Sequence, residues 1–194
     1  IEGIKHISFS GGGSKGIFYI GVLKTLTEYG TVDKIESWTG TSIGSVFALL
    51  GYLQIPWQDI LNNIINYNLE NLFDLDINNF LETQGLIKGN AIEQLLINTC
   101  NNKLTSHTTF NDLFNQTNKT LYICGYNVDK SKSHLFSYKT TPHVKIVDAV
   151  KASCSVPILF PPKLILNSHY YDGSTLELLP ITHLPPLGTV GWEL

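Results

Sequence analysis

The 194-residue sequence contains neither arginine nor methionine, and all 13 of its basic residues are lysines. The formal net charge of −3 excludes the strong basic field that attracts nucleic acids. Three cysteines without a CxxC pair form no disulfide framework and lack the spacing of a structural zinc site. No apolar run approaches the length that crosses a membrane. We therefore expect a cytoplasmic protein with no metal, no cofactor and no nucleic-acid partner. Because residue 1 is not methionine, a trimmed targeting segment before it stays open.

The residues that are present predict one α/β domain over residues 1–194. The hydrophobic fraction of 43% and the charged fraction of 15% are those of a globular domain. Apolar periodicity predicts strands over 4–9, 35–39, 121–128, 135–138 and 164–171. It predicts helices over 17–29, 43–53, 56–67, 91–101, 110–116 and 144–153, whereas 69–89 is weakly patterned. Strands that alternate with helices favour a layered fold around a central, largely parallel sheet.

Ser42 lies in Gly40-Thr41-Ser42-Ile43-Gly44, a G-x-S-x-G between a predicted strand and a predicted apolar helix. A serine nucleophile stands exposed on such a sharp turn, and the flanking glycines avoid a Cβ clash between strand and helix. The start of the helix offers backbone N–H groups to a developing oxyanion. A plain glycine-rich turn with Ser42 as the helix N-cap is the structural alternative, and the motif alone leaves both interpretations open.

A glycine-rich loop, Gly11-Gly12-Gly13-Ser14-Lys15-Gly16, follows the first predicted strand. In a hydrolase its backbone N–H groups would bind the oxyanion, with Gly12 and Gly13 as the donors. The same residues also match the dinucleotide fingerprint G-x-G-x-x-G. That fold needs an acidic residue at the end of the second strand, whereas Asp33 and Glu36 precede or open it. We therefore favour the oxyanion role.

Asp172-Gly173 follows the last predicted strand. A nucleophilic serine needs a base within hydrogen-bond reach, and a carboxylate that ends a neighbouring parallel strand can meet that need. Taken alone, the pair favours a surface turn, because Asp-Gly is a preferred turn pair. The segment from Lys151 to Pro162, KASCSVPILFPP, predicts only an ordered, tightly routed connection.

In this order the four segments resemble the patatin-like phospholipase family over about residues 4–180. The family patterns are G-G-G-x-[K/R]-G, G-x-S-x-G, A-S-x-S-x-P-x-x-F-x-P and D-G-[G/A]. The resemblance implies a three-layer fold and calcium-independent hydrolysis of acyl esters by a Ser-Asp dyad without histidine, of the phospholipase A or lysophospholipase type. It implies a phospholipid or other acyl-lipid substrate and a transient membrane surface as partners, with the protein peripheral to that membrane.

The resemblance assigns a role to each matching residue of this sequence. Ser42 matches the nucleophile and Asp172 the base, and the remaining matches are the oxyanion hole (Gly11, Gly12, Gly13), the rest of that loop (Lys15, Gly16), the nucleophile elbow (Gly40, Gly44) and the base motif (Gly173). Three departures matter. Ser174 stands where the family usually has Gly or Ala, and Leu178 stands where many members have Asn, which predicts looser support of the base. The sequence also ends about 20 residues after Asp172, whereas many members continue, and we therefore expect either a domain truncated at its C-terminus or a compact form.

Two alternatives to this enzyme stay open. The order Ser42, Asp172, His183 also suits a Ser-His-Asp esterase, and His169 is a second candidate for its histidine. A non-catalytic lipid-binding or storage protein with the same fold is the other alternative, although the retained serine, aspartate and glycine loop favour catalysis. The sequence also predicts either a lipid-facing lip or core packing for five apolar residues, Ile55, Trp57, Leu72, Phe73 and Phe80.

Overall fold

The structure is a computed structural model that describes residues 3–67, 87 and 90–194. Within these residues the strands are β1 (His6–Phe9), β2 (Ser37–Thr41), β3 (Thr120–Asn127), β4 (Lys132–Phe136), β5 (Lys163–Ile165), β6 (Ser168–Asp172) and β7 (Thr189–Trp192). The helices are α1 (Tyr19–Glu28), α2 (Ile43–Tyr52), α3 (Trp57–Asn66), α4 (Asn90–Thr99), α5 (Phe110–Thr117) and α6 (Ile146–Ser153). Short 3₁₀ turns span Gly13–Phe18, Val32–Lys34, Gly173–Thr175 and Pro180–His183.

The described strands form a single sheet in the order β5-β6-β3-β2-β1-β7, with β4 also paired to β3. Its centre is parallel, because β1 pairs in parallel with β2 and β7, and β2 pairs in parallel with β3. Antiparallel strands join only from β3 outwards. The α/β fold with a central, mostly parallel sheet is therefore confirmed.

Strands β2 and β6 meet end to end along one edge of β3. Thr41, the last residue of β2, pairs with Cys124, and Asp172, the last residue of β6, pairs with the next residue, Gly125. The other edge of β3 is occupied by β4 over the same stretch. Because β6 runs antiparallel to β3, the strand that carries Asp172 is not the neighbouring parallel strand that the sequence predicted. This opposed approach is what brings residues 42 and 172 together.

Apolar and polar side chains alternate between the two faces of the central strands. Trp38 faces α2, and its ring lies where a Cβ on Gly51 would stand. Helix α2 is buried almost all round, which its continuous apolar sequence predicts. The next residue along β2, Thr39, faces the opposite side, which is covered by the Pro180–His183 turn against β1 and β2. Among the described elements, α2 therefore packs on one face of β2 and the Pro180–His183 turn on the other.

The main differences from the predicted elements lie near the C-terminal end of the sheet. The predicted strand over 164–171 is two strands, β5 and β6, joined by Leu166 and Asn167 with φ angles of 48° and 59°. A two-residue turn with positive φ at both positions usually contains a glycine, and Leu166-Asn167 has none, so the turn is not recognisable in the sequence. Strand β7 was not predicted. The weakly patterned segment 69–89 lies outside the described residues except for Ile87. No helix in the described part is long and apolar enough to cross a membrane.

Candidate active site

Ser42 and Asp172 are in direct contact. The Ser42 hydroxyl donates a hydrogen bond to Oδ2 of Asp172 at 2.5 Å, across 130 positions of sequence. Ser42 is 9% exposed and Asp172 only 3%, so the pair is largely shielded from water. A short bond from a hydroxyl to a buried carboxylate is the arrangement in which the carboxylate can take the hydroxyl proton.

The backbone at Ser42 is held in a conformation that residues with a side chain rarely adopt, with φ 53° and ψ −129°. The neighbouring glycines make this turn possible. A Cβ on Gly40 would collide with the backbone of Gly44, and a Cβ on Gly44 would collide with the carbonyls of Phe9 and Ser10. Strand and helix therefore cross too closely for a side chain at either position, which is the reason the sequence analysis gave for both glycines.

Ser153, the last residue of α6, supports the backbone turn at Ser42 through its side-chain hydroxyl. The Ser42 amide donates to the Ser153 hydroxyl at 2.9 Å, and that hydroxyl donates to the Cys124 carbonyl at 2.5 Å. Ser153 is completely buried. This contact is not predicted from the sequence, in which the segment around Ser153 indicates only a structural connection. The signal was the small-residue pattern A-S-x-S, in which the first serine ends a helix that points at the nucleophile turn.

Two backbone hydrogen bonds position Asp172, one to its carboxylate and one from its own amide. Oδ1 accepts from the Ser174 amide at 2.8 Å, and the Asp172 amide itself donates to the Ser155 carbonyl at 2.8 Å. Gly173 is needed beside it, since a Cβ there would lie 2.6 Å from the Cys124 carbonyl oxygen. Burial raises the pKa of Asp172 above its ordinary value, while the hydrogen bonds from Ser42 and Ser174 act in the opposite direction.

The glycine loop contains backbone amides that have no acceptor among the described residues. The Gly11 amide donates to the Leu178 carbonyl at 3.0 Å, whereas the Gly12 and Gly13 amides donate to no atom of the described residues. Lys15 has an exposed side chain, and its amide closes the turn onto the Gly12 carbonyl at 3.2 Å. Gly16 is buried and packs against Ile43, the residue after Ser42. The amides of Gly12 and Gly13 are thus free to donate to a ligand, as far as the described residues show.

The structure does not bring together the residues of a Ser-His-Asp triad or those of a dinucleotide-binding site. His169 lies 3.4 Å from Asp129, and His183 lies 2.9 Å from Glu177, so neither imidazole binds Ser42 or Asp172. Asp33 lies in the 3₁₀ turn before β2, whereas the glycine loop lies near the other end of that strand. Asp33 therefore cannot bind the ribose of a dinucleotide whose phosphates contact the glycine loop. Within residues 3–67, 87 and 90–194, no three His, Cys, Asp or Glu side chains are grouped as metal ligands.

Of the five apolar residues considered for a lip, two can be placed. Ile55 is buried in the hydrophobic core and Trp57 packs against that core while partly buried. Leu72, Phe73 and Phe80 lie outside the described residues.

The chain is similar to known proteins in both sequence and structure. A sequence model described as patatin-like phospholipase matches residues 7–185. The chain is 30% identical over 186 residues to the probable lipid hydrolase 463L of Invertebrate iridescent virus 6, which covers 91% of this chain and 62% of that protein. It is 31% identical over 179 residues to triacylglycerol lipase 5 of Saccharomyces cerevisiae, with 87% of this chain and 23% of that protein covered.

A solved structure shares the fold. The structure of VipD from Legionella pneumophila superposes with a TM-score of 0.72 at 18% identity, covering 98% of this chain and 49% of that one. The chain thus spans less than two thirds of the length of each of these three proteins.

Proposed function

The chain belongs to the patatin-like phospholipase family of lipid hydrolases, and from that premise we propose that Ser42 and Asp172 form a catalytic dyad. The proposed reaction is cleavage of carboxylic esters in membrane lipids, of the phospholipase A or lysophospholipase type. The observation that carries the proposal is the 2.5 Å hydrogen bond from the Ser42 hydroxyl to the buried Asp172 carboxylate.

The reaction needs only groups of this chain and water. Asp172 takes the Ser42 proton as Oγ attacks the ester carbonyl carbon, and the Gly12 and Gly13 amides bind the resulting oxyanion. The alcohol leaves with the proton from Asp172, so that the acyl group stays on Ser42. Asp172 then takes a proton from water, which attacks the acyl-enzyme, and the fatty acid leaves as Ser42 regains its proton. No step uses a metal ion, and we expect chelation of calcium to leave the rate unchanged.

The substrate class is tested by incubating the protein with phospholipid, lysophospholipid and triacylglycerol, each with Ser42→Ala as the blank. Release of fatty acid from a phospholipid or lysophospholipid that disappears in the blank supports the proposal. Release from triacylglycerol alone would retain the dyad and overturn the phospholipase type. A folded protein that binds these lipids and cleaves none of them would be a lipid-binding protein instead.

The rate is expected to depend on the ionisation of Asp172. The base must be ionised, and burial raises its pKa, so activity should fall as the pH drops through a value above that of an ordinary aspartic acid. The measurement is kcat/KM for a soluble ester against pH, with circular dichroism at each pH to confirm folding. A rate that stays level while ordinary carboxylates become protonated would contradict the assignment of Asp172 as the base.

Ser153→Ala is expected to lower kcat about tenfold and to leave KM nearly unchanged. The substitution removes the acceptor of the Ser42 amide and leaves a buried donor and the Cys124 carbonyl without their partner. Ser155→Ala is the matched control, because the Ser155 side chain bonds only to the Lys151 carbonyl while its own carbonyl remains available to Asp172. Equal rates for the two variants would show that Ser153 does not hold the nucleophile.

Membrane contact is proposed through an apolar rim around the site. The rim consists of exposed side chains in the three segments that directly follow the glycine loop, helix α6 and the Asp172 turn, namely Ile17, Phe18, Val156, Ile158, Leu159, Leu176 and Leu178. Phe18 is 68% and Ile158 66% exposed, although both are strongly apolar. Because the substrate is proposed to be a membrane lipid, a lipid surface is the partner that would cover them.

The double variant Phe18→Ser/Ile158→Ser is expected to weaken binding to phospholipid vesicles by about tenfold or more, since each apolar side chain loses its burial in lipid. Hydrolysis of a soluble short-chain ester should not change. The matched control is Tyr29→Ser/Leu187→Ser, because Tyr29 is 68% and Leu187 88% exposed. Leu187 precedes Gly188, whose carbonyl accepts from the start of β1, and Tyr29 directly follows α1. Both therefore lie toward the end of the sheet that is away from Ser42. Equal vesicle binding by both double variants in a sedimentation assay would refute the rim.

A further inference from the structure

A two-residue stretch after the base joins all three parts of the proposed site through its backbone. The Glu177 amide donates to the Gly173 carbonyl at 2.8 Å, and the Glu177 carbonyl accepts from the Thr41 hydroxyl at 3.2 Å. The next carbonyl, of Leu178, accepts from the Gly11 amide at 3.0 Å. The turn that follows Asp172, strand β2 and the glycine loop are thus all hydrogen-bonded to the backbone of residues 177 and 178. Residue 178 makes this contact through its backbone carbonyl, which a leucine supplies as well as the asparagine found in many family members.

The side chains of Glu177 and His183 close this stretch into a small loop. The His183 Nε2 atom lies 2.8 Å from Oε1 and 2.9 Å from Oε2 of Glu177, and the Thr182 hydroxyl lies 3.4 Å from Oε1. The Glu177 side chain is 19% exposed, and the Cys124 thiol lies 3.9 Å from its Oε2. His183 belongs to the 3₁₀ turn that packs on β1 and β2, so the pair fastens residues 177 and 178 to the sheet.

We propose that Glu177 and His183 are positioning residues for the hydrolysis, an inference that rests on the proposed dyad. Neither side chain contacts Ser42 or Asp172. Each acts by fixing the carbonyls of residues 177 and 178, which in turn fix Thr41 and Gly11. Loss of the pair lets these carbonyls move, so that nucleophile, base and oxyanion donors are less often aligned. Alignment of reacting groups affects kcat more than substrate affinity.

The test is steady-state hydrolysis of a soluble ester by four variants. Glu177→Ala and His183→Ala should each lower kcat about fivefold or more with KM within twofold, and the double variant should be no slower than either single one, because they remove the same contact. His183→Gln should recover most of the rate, since its amide can still donate to the Glu177 carboxylate. His169→Ala is the matched control, because its partner Asp129 forms the other histidine–carboxylate pair of the described residues.

Each alternative gives a different pattern. If the dyad is wrong, the wild type itself shows no turnover that depends on Ser42. If only the positioning role is wrong, the wild type is active and both alanine variants keep kcat within twofold, even where their melting temperatures fall. Complete loss in His183→Ala that His183→Gln does not restore would make the imidazole a base and overturn the proposal. Should an alanine variant fail to fold, Glu177→Leu and His183→Leu also remove the hydrogen bond, keep more of the side-chain volume and carry the same comparison.

Discussion

Ser42→Ala is expected to lower turnover of a soluble ester by at least about 10³-fold while the domain stays folded. In the proposed mechanism the Ser42 hydroxyl is the attacking group, and its removal should leave binding of the ester intact. Alanine fits the same space, so the turn between β2 and α2 should keep its shape. Rates are measured with purified wild type and variant, and melting temperatures confirm that both are folded.

The control for this variant is Ser14→Ala. Ser14 is an exposed serine of the glycine loop, close to the proposed oxyanion donors, and it has no role in the proposed reaction. Its variant should keep the wild-type rate. A Ser42→Ala protein that retains a tenth or more of the wild-type turnover would show that the nucleophile is elsewhere.

Asp172→Asn is expected to lower kcat by about 10²–10⁴-fold, the range in which general base catalysis contributes. The amide cannot take the Ser42 proton, although it fills the space of the carboxylate. The matched control is Asp129→Asn, which neutralises a half-exposed aspartate that bonds to His169 and lies outside the site. Equal rates for the two variants would remove Asp172 from the mechanism.

The same substitution has a consequence for stability with a definite sign. Burial raises the pKa of Asp172 in the folded protein, so between the unfolded and folded pKa values the folded state holds more protons than the unfolded state. The free energy of unfolding should therefore fall as the pH rises through that window. In Asp172→Asn this part of the pH dependence should be missing. Urea unfolding of both proteins across the acidic range measures the difference.

The elements around the nucleophile could be predicted because their signals are local. Strand β2, the turn at Ser42 and helix α2 follow one another directly, and the glycines that permit the turn are visible as a pattern. The observed boundaries on either side of the turn differ from the predicted ones by at most two residues. The predicted strand over 35–39 is Ser37–Thr41, and the predicted helix over 43–53 is Ile43–Tyr52. Periodicity alone decides such boundaries within a few residues.

The contacts that complete the site depend on pairings between distant segments, which periodicity does not encode. Asp172 reaches Ser42 because β6 approaches β2 head-on along β3, in the register that pairs Thr41 with Cys124 and Asp172 with Gly125. Ser153 touches Ser42 only after α6 has packed against β3. The pairing of Glu177 with His183 likewise appears only in the folded chain. The sequence motifs predict which residues are candidates for the site, and the sheet topology determines which of them come into contact.

The most direct measurement of the central claim, that Ser42 is activated by Asp172, is intact-mass labelling with a fluorophosphonate. Wild type, Ser42→Ala and Asp172→Asn are incubated with the reagent and the adduct is followed over time. The dyad predicts one adduct per wild-type chain, none on Ser42→Ala and a much slower one on Asp172→Asn. A folded wild type that takes up no label, or an Asp172→Asn variant that is labelled at the wild-type rate, would contradict it.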